Sequence, residues 1–294
     1  MSSVAFGVPA YNEGEGVVPT LQSLLSGSSH LGLKDPQFIL SESCDSKALC
    51  SVPWARGWAE SSGVSLLIEH GSTRRSLKEA LNIILGRALS DILIISVADV
   101  IVPDESLAIL LRHLLAQPRP VVAIGGVLPD PAAKRNLRSR AGSWQIRAVW
   151  RAASLSPRNQ VRAEGAFWGA WREFYSGFRY PIRTGSIHDD VELARTLSKA
   201  GARVTNAVDA FVYKIPPSSF QDLCLATVRW GAAAPDHNRP GREYLAAIVE
   251  AVRDPVGASM YAVARLWCRA NLKRFRGRSD SEMWEASAST KRKK

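Results

Sequence analysis

Five short apolar runs alternate with helix-patterned segments over the first half of the chain, and this alternation constrains the fold more than any other feature. Strands are predicted at Val4–Val8, Phe38–Ser41, Ser65–Glu69, Ile92–Ser96 and Val121–Ile124. Helices are predicted between them at Val17–Leu25, Ser46–Glu60, Arg74–Ala88 and Glu105–Leu115. In the last of these, Leu107, Leu110, Leu111, Leu114 and Leu115 recur at helical spacing. A strand–helix alternation of this kind implies an α/β fold with a mostly parallel sheet covered on both faces. Ligands of such sheets bind outside the carboxyl ends of the strands. The segment Pro9–Glu13, which closes the first strand in "VAFGVPAYNEGEG", is therefore a predicted ligand-binding turn. It carries neither a Gly-x-Gly-x-x-Gly fingerprint nor a Walker-type Gly-Lys-Ser/Thr, so a glycine-rich phosphate loop is excluded there.

The character changes at "KIPPSSF" (Lys214 to Phe220), after which three helices are predicted, near Phe220–Trp230, Glu243–Arg253 and Val256–Phe275. The expected organisation is a ligand-binding and catalytic domain over residues 1–215 and a helical extension over 216–275. A basic, disordered tail is expected over 276–294. No apolar run reaches the ~18 residues that span a bilayer, and no leader pattern opens the chain. Cys44, Cys50, Cys224 and Cys268 contain no C-x-x-C pair, which argues against structural zinc and a disulfide framework and for a reduced, cytoplasmic setting.

The net charge of +11 is segregated. Lys134–Arg162 holds eight bases and no acid, and Ser259–Lys294 holds ten bases against three acids. The remainder is mildly acidic. Leu137, Ala141, Trp144, Ala148, Ala152 and Leu155 make the first segment an amphipathic helix, and Met260, Val263, Leu266 and Trp267 do the same for the second. Such segments face a polyanion, a membrane surface or water. A peripheral place on an anionic membrane is one expectation, and a solvated face is its alternative.

Four stretches taken in order resemble the inverting family-2 glycosyltransferases of the GT-A fold, over about residues 3 to 232. They are "VPAYNEGEGVVPTLQSLL", "FILSESCDS", "ILIISVADVIVPDESL" and "HDDVELARTLSKAGARV", and "VRWG" resembles the end of a Gln-x-x-Arg-Trp motif. The resemblance implies a nucleoside-diphosphate sugar as donor and a saccharide or lipid-linked acceptor. It puts Pro9, Ala10, Tyr11, Glu13, Glu42 and Asp99 at the nucleotide sugar. It puts Asp190 in the role of catalytic base. Gly165, Phe167, Trp168, Asp189, Arg229 and Trp230 are implied at the acceptor or diphosphate. A divalent cation, Mg2+ or Mn2+, is implied on Asp99. The chain departs from the family at Val97, where the first Asp of Asp-x-Asp would stand. It departs again at Ser41 and Ser43, which flank a single carboxylate, and at Ala226 in place of Gln. These departures favour transfer of one sugar over processive synthesis.

The residue types suit the chemistry. A base takes the acceptor hydroxyl's proton, a cation offsets charge on the leaving diphosphate, and a pocket aligns the two substrates. Blander roles stand beside these. Glu13 could cap a helix, and Asp189 and Asp190 could complement the dipole of a helix at Val191–Leu197. Phe167 and Trp168 could be a core strand. His188 and His237 read as surface residues. A non-catalytic nucleotide-sugar-binding module and a basic nucleic-acid-binding protein are the competing functions. The second lacks any recognisable nucleic-acid-binding motif.

Overall fold

The computed structural model describes residues 2–73, 75–116, 121–133, 136–155, 166–180, 182, 199, 203–217, 219, 222–224, 227 and 240–275. Its elements run β1 (Val4–Tyr11), α1 (Val17–His30), β2 (Gln37–Ser43), α2 (Val52–Ser62), β3 (Leu66–Gly71), α3 (Leu77–Arg87) and β4 (Ile92–Ser96). They continue with β5 (Val100–Ile101), α4 (Asp104–Leu115), β6 (Val121–Pro129), α5 (Leu137–Ser154), β7 (Phe167–Trp171), α6 (Arg172–Tyr175) and β8 (Arg203–Lys214). Two long helices follow, α7 (Pro240–Arg253) and α8 (Pro255–Phe275). The sheet order is β3-β2-β1-β4-β7-β6-β8-β5. The chain divides into two compact units, one built on the sheet and the other on α5, α7 and α8.

In the sheet unit the predicted parallel core is present. β1 pairs in parallel with β2 and β4, and β2 pairs in parallel with β3. β7 is the strand that reverses direction, inserted antiparallel between β4 and β6. The central strands are buried on both faces, as continuous apolar runs require. Gly7 lets α3 approach β1 closely, since a Cβ there would lie 2.7 Å from Ile95 Cδ1 and overlap Ile84. Local chemistry explains where several helices begin. The predicted helix at Ser46–Glu60 is split into a 3₁₀ turn at Lys47–Leu49 and α2, because Pro53 is tolerated only in the first turn of a helix. α2 stops at Gly63, in the left-handed conformation. α3 starts on a capping box. Ser76 accepts from the Glu79 N–H at 3.3 Å, and Glu79 Oε2 accepts from the Ser76 N–H at 2.7 Å. In α4 the predicted stripe holds at Leu107, Leu110, Leu111 and Leu114, while Leu115 points outward at 61% exposure.

The helical unit has a small core of Ala141, Leu223, Cys224 and Ala264, with Met260 and Tyr261 against it. Trp144 and Tyr261 add a ring pair at 5.0 Å. The basic helix α5 turns three of its arginines onto acids of α7 and of the residue before α8. Arg147 donates from Nε to Glu250 Oε2 and from Nη2 to Asp254 Oδ2, both at 3.0 Å. Arg151 reaches Glu250 Oε1 at 2.5 Å, and Arg140 reaches Asp254 Oδ1 at 2.7 Å. These three bases are therefore neutralised within the fold and do not form an outward basic face. The apolar faces behave in the opposite way. Tyr244, Leu245, Ile248 and Val252 of α7 are exposed, and so are Val263, Leu266 and Trp267 of α8.

The arginine–carboxylate network carries a stability prediction. Glu250 is buried, so Glu250→Ala takes the carboxylate away from Arg151 and leaves Arg147 with Asp254 alone. The expected destabilisation is about 3 kcal/mol, the low end for a broken buried pair because both arginines keep some solvent contact. Burial pushes the Asp254 carboxyl upward, but the Gly257 N–H and the guanidiniums of Arg140 and Arg147 outweigh it, and the net pKa is lowered. A lowered folded pKa means stabilisation that is full above the unfolded value of 3.8 and is lost as pH falls through the folded value. Urea unfolding of wild type, Glu250→Ala and Asp254→Asn across acid pH checks both effects. Asp254→Asn is expected to flatten the acid limb.

Candidate active site

Parallel pairing brings the carboxyl ends of β1, β2 and β4 to one edge of the sheet. Opposite residues across β1 and β2 are Pro9 and Ser41, Ala10 and Glu42, and Tyr11 and Ser43. Pro9 and Ala10 are buried within β1, so only their backbone is available to a ligand. Tyr11 is half-buried at the strand end. Asn12 then adopts a left-handed φ of 55°, which an Asn side chain can stabilise locally. Here it does so across the edge. Asn12 Nδ2 donates to Asp45 Oδ2 at 2.8 Å, the Asp45 N–H donates to Asn12 Oδ1 at 2.9 Å, and the Tyr11 hydroxyl donates to the same carboxylate. The turn is thus tied to the segment that follows β2. Glu13 precedes a 3₁₀ turn at Gly14–Gly16 but makes no side-chain capping bond to it, so capping does not account for its presence.

Glu42, at the end of β2, has no exposed surface. Its Oε1 accepts the Ser51 N–H, and its Oε2 accepts from Cys50 Sγ at 3.4 Å. His70, its register partner on β3, brings Nδ1 to 3.5 Å from Oε2. Cys44 completes the group, and the candidate ligand atoms of Glu42, Cys44, Cys50 and His70 all lie within 4.8 Å of one another. Burial, then a hydrogen bond with Cys50 and the nearby Glu42 charge, push the Cys44 thiol up to about 11.

Asp99 sits, half-buried, in the tight turn between β4 and β5. That turn is pinned from below. The buried Thr20 hydroxyl of α1 reaches the carbonyls of Ala98 at 2.9 Å and Val100 at 2.6 Å. The Val97 N–H donates to the Ala166 carbonyl at 3.0 Å. A half-buried carboxylate on this pinned turn suits a hard cation that keeps water and substrate oxygens as its other ligands.

The acceptor-lining expectation is corrected for Phe167 and Trp168. Both are fully buried in β7, where Trp168 lies opposite Ile95 and Ile124, so their side chains are core packing. Gly165, Asp189, Asp190, Arg229 and Trp230, and also His188 and His237, lie outside the described residues. Nothing in the local sequence pattern marks Asp45, Cys44, Cys50 and His70 as site residues. Their common signal is position, each within a few residues of a strand's carboxyl end or of the loop that follows it.

Residues 2–233 match the family model described as "Glycosyltransferase like family 2". No curated protein matches the chain. Among solved structures, mannosyltransferase PcManGT from Pyrobaculum calidifontis, in complex with GDP-Man and Mn2+, superposes with a TM-score of 0.58. Its identity is 19%, over 92% of this chain and 75% of that one. S. aureus TarS, residues 1–349, superposes with a TM-score of 0.51 at 13% identity, over 96% of this chain and 77% of that one. At these identities the likeness is one of fold, and it is the α/β, GT-A-like fold expected from the sequence.

Proposed function

The chain belongs to the glycosyltransferase-like family 2, and from that premise we propose that it moves one sugar from a nucleoside-diphosphate sugar to an acceptor hydroxyl with inversion. The observation that carries this reading is the shared edge. The turn at Tyr11–Glu13 and the pinned Asp99 follow the neighbouring parallel strands β1 and β4, where a donor nucleotide would sit, while Glu42 at the end of β2 is fully buried and turned away from a ligand on that edge. Asp99 would hold Mg2+ or Mn2+ against the diphosphate. The bound cation supplies neutralisation of the charge that develops on the leaving group. Asp190 accepts the proton of the acceptor hydroxyl as its oxygen attacks the anomeric carbon. The bond from that carbon to the diphosphate oxygen breaks, and the nucleoside diphosphate leaves. Attack on the face opposite the leaving group inverts the anomeric centre. The Asn12–Asp45–Tyr11 ties keep the donor turn in one conformation before substrate arrives.

The test is release of nucleoside diphosphate from a panel of nucleotide sugars beginning with GDP-mannose and UDP-glucose, with the product's anomeric configuration read by NMR. A product of opposite configuration to the donor is the expected result. Val97 favours a second reading, in which the chain binds a nucleotide sugar without turning it over. Tight donor binding with no release or transfer to any acceptor would select it.

The exposed apolar faces of α7 and α8, followed by the bases Lys273, Arg274, Arg276 and Arg278, support a peripheral place on an anionic membrane surface. No described helix is long and apolar enough to cross a membrane. Each base near an anionic leaflet contributes ~1 kcal/mol. Salt-sensitive sedimentation with anionic liposomes, lost when Lys273, Arg274, Arg276 and Arg278 are all replaced by glutamine, is the expected result. Deleting residues 259–294 would also remove the core contacts of Met260, Tyr261 and Ala264. Equal absence from anionic and neutral pellets would contradict this.

A further inference from the structure

We propose that Glu42, Cys44, Cys50 and His70 form a zinc site, distinct from the Asp99 cation and independent of whether the chain transfers sugar. The four groups come from three places. Glu42 and Cys44 stand at and just beyond the end of β2, Cys50 stands just before α2, and His70 lies on β3 directly across from Glu42. Parallel register, not sequence spacing, brings the imidazole to the thiols.

The geometry is close to what the ion requires. Tetrahedral zinc, with bonds of about 2.0–2.3 Å, holds its ligand atoms about 3.3–3.8 Å apart. Here the four candidate atoms lie within 4.8 Å of one another, and two of the separations are 3.4 and 3.5 Å. Small side-chain rotations close the remainder. The donor set is selective too. Two thiolates, an imidazole and one carboxylate match zinc, whereas Mg2+ and Mn2+ prefer oxygen ligands throughout. The ion therefore differs in kind from the one assigned to Asp99.

The surroundings also fit. A fully buried carboxylate is costly without a cation or several donors. The Ser51 N–H occupies Glu42 Oε1 and thereby turns Oε2 toward Cys50 and His70, the orienting contact that ligands need from a second layer. On binding, the two thiols release their protons to solvent, and the imidazole ligates in its neutral form. The absence of C-x-x-C does not exclude such a site, because the spacing rule covers ligands carried on one short knuckle. Here five residues separate the cysteines and a neighbouring strand supplies the histidine.

The site would clamp the segment that follows β2. Asp45, adjacent to Cys44, is the residue that fixes Tyr11 and Asn12. Zinc would thus act as a positioning element for the turn after β1.

The experiment is elemental analysis of the full-length chain purified without chelators, followed by exchange of the bound metal for Co2+. One equivalent of zinc and an intense thiolate-to-cobalt charge-transfer band are expected. Cys44→Ser, Cys50→Ser and His70→Ala should each lose the zinc and the band, while Cys268→Ser should keep both. If the variants fail to fold, the cobalt spectrum of the unaltered chain still decides. A chain that takes up neither zinc nor cobalt when titrated, or that carries a Cys44–Cys50 disulfide as isolated, would overturn the proposal.

Discussion

Replacing Asp190 by asparagine is expected to lower turnover ~10²–10⁴-fold while leaving affinity for the nucleotide sugar nearly unchanged. Asparagine keeps the size and polarity of the side chain but cannot take a proton. The loss corresponds to about 3–5 kcal/mol of transition-state stabilisation. It should fall on kcat, because the base acts on the acceptor hydroxyl and not on the nucleotide. Initial rates and donor binding measured on the same preparation separate the two effects. Near-full turnover in the variant would move the base to another carboxylate, and Asp189→Asn would be the next measurement.

The second large effect is expected at Asp99. Asp99→Ala should abolish transfer and remove the metal dependence of nucleoside-diphosphate binding. The change should leave the fold intact, because Asp99 is half-exposed and Thr20 anchors the turn through the flanking carbonyls. With valine at position 97, Asp99 is the one carboxylate of that motif, so no neighbour in it can compensate. A chelator should abolish transfer as well, and Mg2+ or Mn2+ should restore it. Restoration by these ions alone also distinguishes the Asp99 cation from zinc, which they would not replace at thiolates. Full activity in excess chelator would point to an Arg or Lys as the charge partner of the diphosphate.

The parallel half of the sheet was legible because its central strands β1, β2 and β4 are buried on both faces and read as unbroken apolar runs ending in polar turns. The antiparallel strand was less so. β7 pairs with β4, some seventy residues earlier in the chain, and no hairpin turn marks the pairing. The aromatic pair Phe167 and Trp168 read first as acceptor lining, with a core strand as the alternative, and their burial favours the core. The eight bases of Lys134–Arg162 pointed outward on a reading of that segment alone. The acids that draw Arg140, Arg147 and Arg151 inward, Glu250 and Asp254, lie about a hundred residues further on. The same limit hid the group around Glu42. A carboxylate at a strand end was visible, but its histidine depends on the register of β2 against β3. Asp45 was passed over because its partners, Tyr11 and Asn12, belong to a different strand end. Local pattern thus exposes which strands end together, and it leaves unseen the side chains that meet only after pairing.

The most direct test of a donor nucleotide at the carboxyl edge of β1, β2 and β4 is thermal unfolding of the full-length chain against nucleoside diphosphates and their sugars, with and without Mn2+ or Mg2+. A ligand at a hundredfold excess over its Kd adds about 2.7 kcal/mol of stability, a readable rise in Tm. The expected result is stabilisation by one nucleotide and its sugar conjugates, dependent on the cation and absent in Asp99→Ala. An unchanged Tm across the whole panel, with and without cation, would contradict the account.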